Sequence, residues 1–195
     1  MSEPLDPYTL FASMFDEASA SGNPEPSAFG LSTVDSESRP SSRMLLLKGI
    51  ETRGFVFYTN LNSRKAMQLE NNSNAAMCFY WPQIGRQVRI EGQVERVSDT
   101  DADEYFRTRE RGSQIGAWAS LQSSELSRRQ DLLDRVSEIE TRYSGIDVPR
   151  PPYWSGFRLI PRLIEFWSAG EFRLHERLVY ESDDAVAWRS RRLYP

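Results

Sequence analysis

The chain holds one histidine, His175, in the stretch GEFRLHERLVY, with Arg173 two residues before it and Arg177 two residues after. Two guanidiniums beside an imidazole oppose its protonation, so His175 reads as a neutral hydrogen-bonding group and not as a permanent cation. If residues 171–180 run as a strand, alternate side chains face opposite ways. Glu171, Arg173, His175, Arg177 and Val179 then share one face; Phe172, Leu174, Glu176, Leu178 and Tyr180 share the other. The second set is mostly apolar and suits a core. The first is a row of polar groups about 6.5–7 Å apart, spaced to line a small anionic or polar aromatic ligand. The same row also fits the solvated outer face of a sheet. A serine hydrolase would have to use this histidine, with only Glu171 or Glu176 near enough in sequence to orient it, and no G-x-S-x-G occurs.

Three other basic clusters could do chemistry. In YTNLNSRKAMQ, Ser63 is a natural N-cap, which puts Arg64 and Lys65 in the first turn of a short helix. Cations there oppose the helix dipole. They become sensible if an anion such as phosphate sits where free backbone N–H groups point; otherwise the two side chains bend into solvent. In RMLLLK, Arg43 and Lys48 bracket an apolar strand. Their odd separation sends them to opposite faces, so they serve two ligands or one of them is structural. In EYFRTRERGSQIGAW, a helix would put Tyr105 and Arg109 on one face, with Ser113 in the loop that follows. Phenol, guanidinium and hydroxyl donors suit a phosphate monoester, and an ordinary amphipathic helix with an exposed arginine gives the same pattern. Neither G-x-G-x-x-G nor a P-loop is found.

Composition bounds the rest. The 195 residues carry a net charge of −4, with 39% hydrophobic and 12% aromatic residues. That is enough for a core and offers no global attraction to nucleic acid or anionic membrane. One cysteine, Cys78, excludes an internal disulfide framework, and one Cys with one His leaves little for a zinc or iron site; no metal ligands are assigned, and a carboxylate-only magnesium or calcium site stays open. No apolar run approaches a membrane span and the start lacks a secretory pattern, which makes the cytoplasm the default.

The elements that must carry these clusters alternate strongly. Residues from Pro7 to about Ala20 have amphipathic helical spacing. Strands are expected at AFGLSTVD, SSRMLLLKGI, GFVFYTNL, AAMCFYW, RQVRIEGQVERV, SGFRLIPRLIEFW, FRLHERLVY and AVAWRSRRLYP. Short helices are expected at NSRKAMQLENN and TDADEYFRTRER, and a longer one at SELSRRQDLLDRVSEIETRYSG, ended by Gly145. Many close strands with helices inserted argue for an antiparallel barrel or sandwich with helices outside it.

Taken together and in order, RMLLLKG, FYTNLNSRKAMQLENN, RQVRIEGQVERVS, YFRTRERGSQIGAWAS, QSS, IEFW and GEFRLHERLVY resemble the pyridoxine (pyridoxamine) 5′-phosphate oxidase family, from Asp6 to Pro195. The resemblance implies a mainly β (α+β), FMN-binding split β-barrel with flanking helices, homodimeric. It also implies one domain over 1–195, with an N-terminal helix in 1–22 and C-terminal dimerisation and substrate strands in 150–195. Carried over, Arg43 contacts FMN, and Met44, Leu45, Leu46 and Leu47 lie along the flavin. Lys48 closes that run and holds the substrate's phosphate. Tyr58, Thr59, Arg64, Lys65, Gln87, Gln122, Ser123, Trp167 and Arg177 complete the FMN set, with Arg64 and Lys65 at its phosphate. Tyr105, Arg109 and Ser113 complete the substrate-phosphate cradle, and Arg173 and His175 are the catalytic pair against the pyridine ring. The flavin residues come from both subunits, with FMN at the dimer interface. The implied reaction oxidises pyridoxamine or pyridoxine 5′-phosphate to pyridoxal 5′-phosphate, with O₂ reduced to hydrogen peroxide. The chain departs from the pattern in starting five residues before Asp6, where relatives often carry a substrate-covering segment, and in Ala169 and Phe172. The alternatives are a related flavin oxidase of the phenazine-biosynthesis type and a non-catalytic binder of FMN or pyridoxal phosphate.

Overall fold

A computed structural model describes residues 6–51 and 54–195; the first five residues of the expected 1–22 element lie outside the described residues. Helix α1 (Pro7–Ala20) starts where Asp6 accepts the Thr9 N–H at 2.9 Å, with Pro7 in the first turn, where a missing N–H costs nothing. Its apolar face buries Phe11, whose ring packs edge-on against Phe55 and Phe79 at 4.9 and 5.1 Å.

The strands are β1 (Ala28–Val34), β2 (Pro40–Leu46), β3 (Gly49–Glu51), β4 (Gly54–Asn60), β5 (Asn74–Trp81), β6 (Arg86–Arg96), β7 (Trp154–Ser168), β8 (Glu176–Glu181) and β9 (Arg189–Leu193). All pairings are antiparallel, in the order β2-β1-β5-β6-β7-β4-β3. Only Leu47 and Lys48 separate β2 from β3, so the two ends of that order are joined in the chain. The Leu47 N–H donates to the Ser27 carbonyl on one side and the Lys48 N–H to the Val56 carbonyl on the other, each at 2.8 Å. The sheet thereby closes on itself around Phe29, Leu31, Phe57, Phe79, Val88, Ile90 and Leu159.

The barrel splits along β7. Its first half pairs with β4 and its second half with β8, while β6 pairs along nearly its whole length. A bulge marks the switch: the β6–β7 register slips between Glu91 and Gly92. A Cβ at Gly92 would collide with the Ile160 carbonyl oxygen, so only glycine fits this approach. Strand β9 extends the sheet outward from β8. Helices α2 (Arg64–Asn71), α3 (Asp99–Thr108), α4 (Arg111–Ala119) and α5 (Arg129–Arg142) lie outside the barrel sequence of strands. This is the split barrel with flanking helices that the sequence implied. No helix among the described residues is long and apolar enough to cross a membrane.

Five local expectations change. SSRMLLLKGI is two strands shared between opposite sheet edges, so Lys48 sits at the crossing, and the argument from opposite strand faces does not apply. Ser113 lies in α4 and not in a loop: burial of Ile115 and Ala119 beside Phe106 and Ile139 overrides two helix-weakening glycines. Helix α3 stops at Thr108, and Arg109 is its extended C-cap. Helix α5 begins at Arg129 rather than near Ser124, because residues 121–128 are all exposed and no packing orders them as helix. The strand expected from Phe172 begins only at Glu176. Phe172 and Arg173 have φ of 54° and 66°, which no strand accommodates. The row of Glu171, Arg173, His175 and Arg177 is therefore not a strand face.

Candidate functional site

Strand β4 brings Tyr58 and Thr59 to the mouth of a cavity of about 680 Å³. The crossing strand adds Met44, Leu45, Leu46 and Lys48. The end of α3 adds Tyr105 and Arg109, α4 adds Ser113, and the segment after α4 adds Gln122. These sequence-expected residues thus share one wall system. Tyr58 stacks on Tyr105 with ring centres 4.0 Å apart, and on Trp154 at 5.3 Å, all three rings nearly parallel. The Arg109 guanidinium lies 4.7 Å from the Trp154 ring centre, a cation–π placement. Among the described residues its Nη1 is buried without a hydrogen-bond partner. Such a donor is costly unless something accepts from it. Burial pushes the Tyr58 hydroxyl up to about 12 and raises Tyr105 as well, so both remain protonated donors at neutral pH.

A second group lies at the start of α2. Ser63 caps the helix, accepting the Ala66 N–H at 3.4 Å, and Arg64 and Lys65 occupy the first turn as expected. The Arg64 N–H donates to the Ser123 hydroxyl at 3.1 Å. Lys65 is only 8% exposed, and its Nζ reaches Thr59 Oγ1 and Gln122 Oε1, each at 3.2 Å. The Arg43 guanidinium is held from behind by Thr33, Ser41 and the Leu31 carbonyl. Burial and then the nearby Arg43 charge pull Lys65 down to about 8; burial and the Arg64 charge lower Arg43. Among the described residues no carboxylate forms an ion pair with any of the three. Three mutually repelling cations gathered without an acid fit a multiply charged anion such as a phosphate. Leu47, by contrast, is buried in the core.

Gln87, Trp167, Arg173, His175 and Arg177 form a third group that does not line this cavity. Gln87, Trp167 and Arg177 are register partners across β6, β7 and β8. His175 lies 4.7 Å from the Trp167 ring centre. Its Nδ1 accepts the Gly170 N–H at 3.2 Å, which assigns the ring proton to Nε2. Residues Glu171–Arg173 form a single 3₁₀ turn. A Cβ at Gly170 would meet the Leu174 carbonyl, so the turn needs glycine there. Two consecutive non-glycine residues at positive φ store on the order of 1–3 kcal/mol each, and they push Phe172 out to 90% exposure beside Arg173.

Two partners escaped sequence reasoning. Trp154 lies far along the chain from the tyrosines it stacks on, and no local pattern announces it. Glu165, the acid that holds Arg177, did carry a signal: a carboxylate inside the apolar run LIEFW needs a cation.

A family model described as pyridoxamine 5′-phosphate oxidase matches residues 15–143, and one described as the pyridoxine 5′-phosphate oxidase C-terminal dimerisation region matches residues 154–195. A pyridoxine/pyridoxamine 5′-phosphate oxidase of Myxococcus xanthus is 52% identical over 98% of this chain and 93% of its own length. One of Rhodospirillum rubrum is 50% identical over 99% and 98%. Among solved structures, PhzG of Burkholderia lata in complex with tetrahydrophenazine-1-carboxylic acid superposes with a TM-score of 0.93 at 34% identity, covering 100% of this chain and 95% of that one.

Proposed function

Because the chain belongs to the pyridoxine/pyridoxamine 5′-phosphate oxidase family, we propose that it oxidises pyridoxamine and pyridoxine 5′-phosphates to pyridoxal 5′-phosphate, with FMN as cofactor and O₂ as acceptor. The observation that carries this reading is a pair of anion-seeking groups, one for each phosphorylated ligand: the Arg109 group lines the cavity, and the Lys65 cluster is bonded to it through the lining residues Thr59 and Gln122. Bound FMN supplies hydride acceptance from the substrate's C4′ carbon and delivery of the electrons to O₂ as hydrogen peroxide.

The chain's own residues bind and orient. Arg64, Lys65 and, behind them, Arg43 hold the FMN phosphate, with Thr59, Gln122 and Ser123 linked to that cluster by the bonds above. Tyr58 is fixed by its stack, and Met44, Leu45 and Leu46 run along the flavin; Leu47 supports that run from the core. Lys48, Tyr105, Arg109 and Ser113 clamp the substrate's phosphate, with the unpartnered Arg109 Nη1 ready to donate. Arg173 and His175 fix the pyridine ring and stabilise charge as hydride leaves, and a neutral His175 serves as a hydrogen-bonding partner there. Because their group stands outside the cavity, Arg173 and His175 act, with Gln87, Trp167 and Arg177, on the cavity of a second copy. FMN then lies at a homodimer interface built by the C-terminal strands. Holding two phosphorylated ligands in contact removes most of the entropic part of the barrel-bound reaction's barrier.

The test is to load the purified protein with FMN and add pyridoxine 5′-phosphate and, separately, pyridoxamine 5′-phosphate under air. One pyridoxal 5′-phosphate and one hydrogen peroxide per substrate consumed are expected. A colourless protein that takes up no FMN overturns the reading. A yellow protein inert to both phosphates moves it to another ring substrate, the direction favoured by the likeness to the phenazine-bound structure.

A further inference from the structure

Glu165 is 3% exposed and lies on β7 between two core residues, Ile164 and Phe166. A carboxylate so placed is retained only with strong partners. Arg177 grips it with two bonds, Nε to Oε1 at 2.9 Å and Nη2 to Oε2 at 3.0 Å. Arg89, its register partner on β6, adds a third at 3.2 Å. The Arg177 hydrogen bond, then the Arg89 charge, hold the Glu165 carboxyl below the usual carboxylate range. On its other side, Arg177 Nη1 donates to the Tyr194 carbonyl at 3.2 Å. A guanidinium has five N–H groups; three are committed, and one remains on each terminal nitrogen.

We propose that Glu165 is a positioning residue of the flavin site: with the Tyr194 carbonyl it fixes the plane of the Arg177 guanidinium, leaving two N–H groups to face FMN, and it tempers the positive charge that the flavin meets. This rests on Arg177 being a flavin ligand, as proposed above. A bidentate carboxylate pair sets orientation as well as energy, whereas an arginine without it would sample several rotamers and lose affinity to that freedom. Glu91 also pairs with Arg89, at 3.6 Å, so Glu165 is the one carboxylate of this group that answers Arg177, and removing its charge leaves the group one unit more positive on the Arg177 side. A flavin beside more positive charge is easier to reduce.

The test measures the FMN dissociation constant by fluorescence quenching, and the midpoint potential of the bound flavin, in the holoenzyme. Glu165→Gln keeps the shape, loses one acceptor and the charge. It is expected to weaken FMN about tenfold, the equivalent of one charge-assisted bond, and to raise the potential. Glu165→Asp keeps the charge and loses the reach. It is expected to weaken FMN with the potential held near that of the wild type, and it serves if Glu165→Gln does not fold. Arg177→Gln tests the premise separately. If Arg177→Gln leaves both quantities unchanged, Arg177 is not a flavin ligand and the proposal falls with its premise. If Arg177→Gln weakens FMN while Glu165→Gln and Glu165→Asp leave affinity and potential unchanged, the premise stands and the positioning role is overturned.

Discussion

Arg173→Ala lowers turnover of pyridoxine 5′-phosphate by about 100- to 1,000-fold, the usual effect of losing one preorganised donor at a developing charge, while FMN stays bound. The expectation follows from where Arg173 stands. It occupies a strained turn with φ of 66°, is exposed, and forms no ion pair among the described residues. A guanidinium held out in this way has no structural partner to abandon. Alanine meets the same backbone strain as arginine at that φ, so the fold gains and loses little. The cation cluster at α2, proposed to hold the FMN phosphate, is built from other elements and keeps its cations. Steady-state assays should therefore show kcat falling more than KM rises, with an unchanged flavin spectrum. Loss of flavin from this variant would mean that the roles of Arg173 and Arg177 are reversed.

Arg64→Ala combined with Lys65→Met abolishes practical FMN binding. Each charge-assisted contact to phosphate is worth about 1.5–3 kcal/mol, so the pair weakens FMN by roughly 100- to 10,000-fold. The apoprotein should not suffer, because the double change removes one buried cation, Lys65, and one exposed one, Arg64, and breaks no ion pair among the described residues. The wild type also carries a pH signature. Lys65 has a folded value of about 8 against an ordinary 10.5. Below pH 8 both folded and unfolded states hold the proton, and the apoprotein bears the full cost of burying the charge. Between about 8 and 10.5 the unfolded state binds more protons, so apoprotein stability rises through that window. FMN affinity runs the other way, falling as pH passes 8 and Lys65 loses the charge that attracts phosphate. Titration calorimetry at pH 9 should detect proton uptake on FMN binding, and Lys65→Arg should flatten the pH dependence.

How much of this was legible depended on how local each signal was. Ser63, Arg64 and Lys65 are adjacent, and a cap followed by misplaced cations can be read from a few residues. The barrel was legible as an antiparallel β architecture, because alternation is a two-residue signal. Its closure was not: SSRMLLLKGI reads as one strand, and only the partners of Leu47 and Lys48 reveal that it joins both sheet edges. The turn at residues 171–175 is not legible, because Phe172 and Arg173 adopt positive φ without glycine or asparagine to announce it, and the alternation of the sequence runs on through the turn. The helical setting of Ser113 is not legible locally, because Gly112 and Gly116 weaken helix propensity there and only the tertiary packing of Ile115 and Ala119 enforces the helix. The roles of single residues came from the family pattern and not from spacing. Spacing alone left each cluster open between a ligand site and a solvated surface.

The central claim is that the cavity of one copy is completed by residues 173–177 of another. It is tested most directly by co-assembling the Arg173→Ala chain with the Arg64→Ala/Lys65→Met chain at stoichiometric FMN. Neither parent homodimer contains an intact site. A mixed two-fold dimer contains one, formed by the phosphate cluster of the first chain and Arg173 of the second. Free mixing should then restore about a quarter of wild-type turnover. A mixture no more active than its parents would contradict the claim and place all these residues in a site formed within one chain.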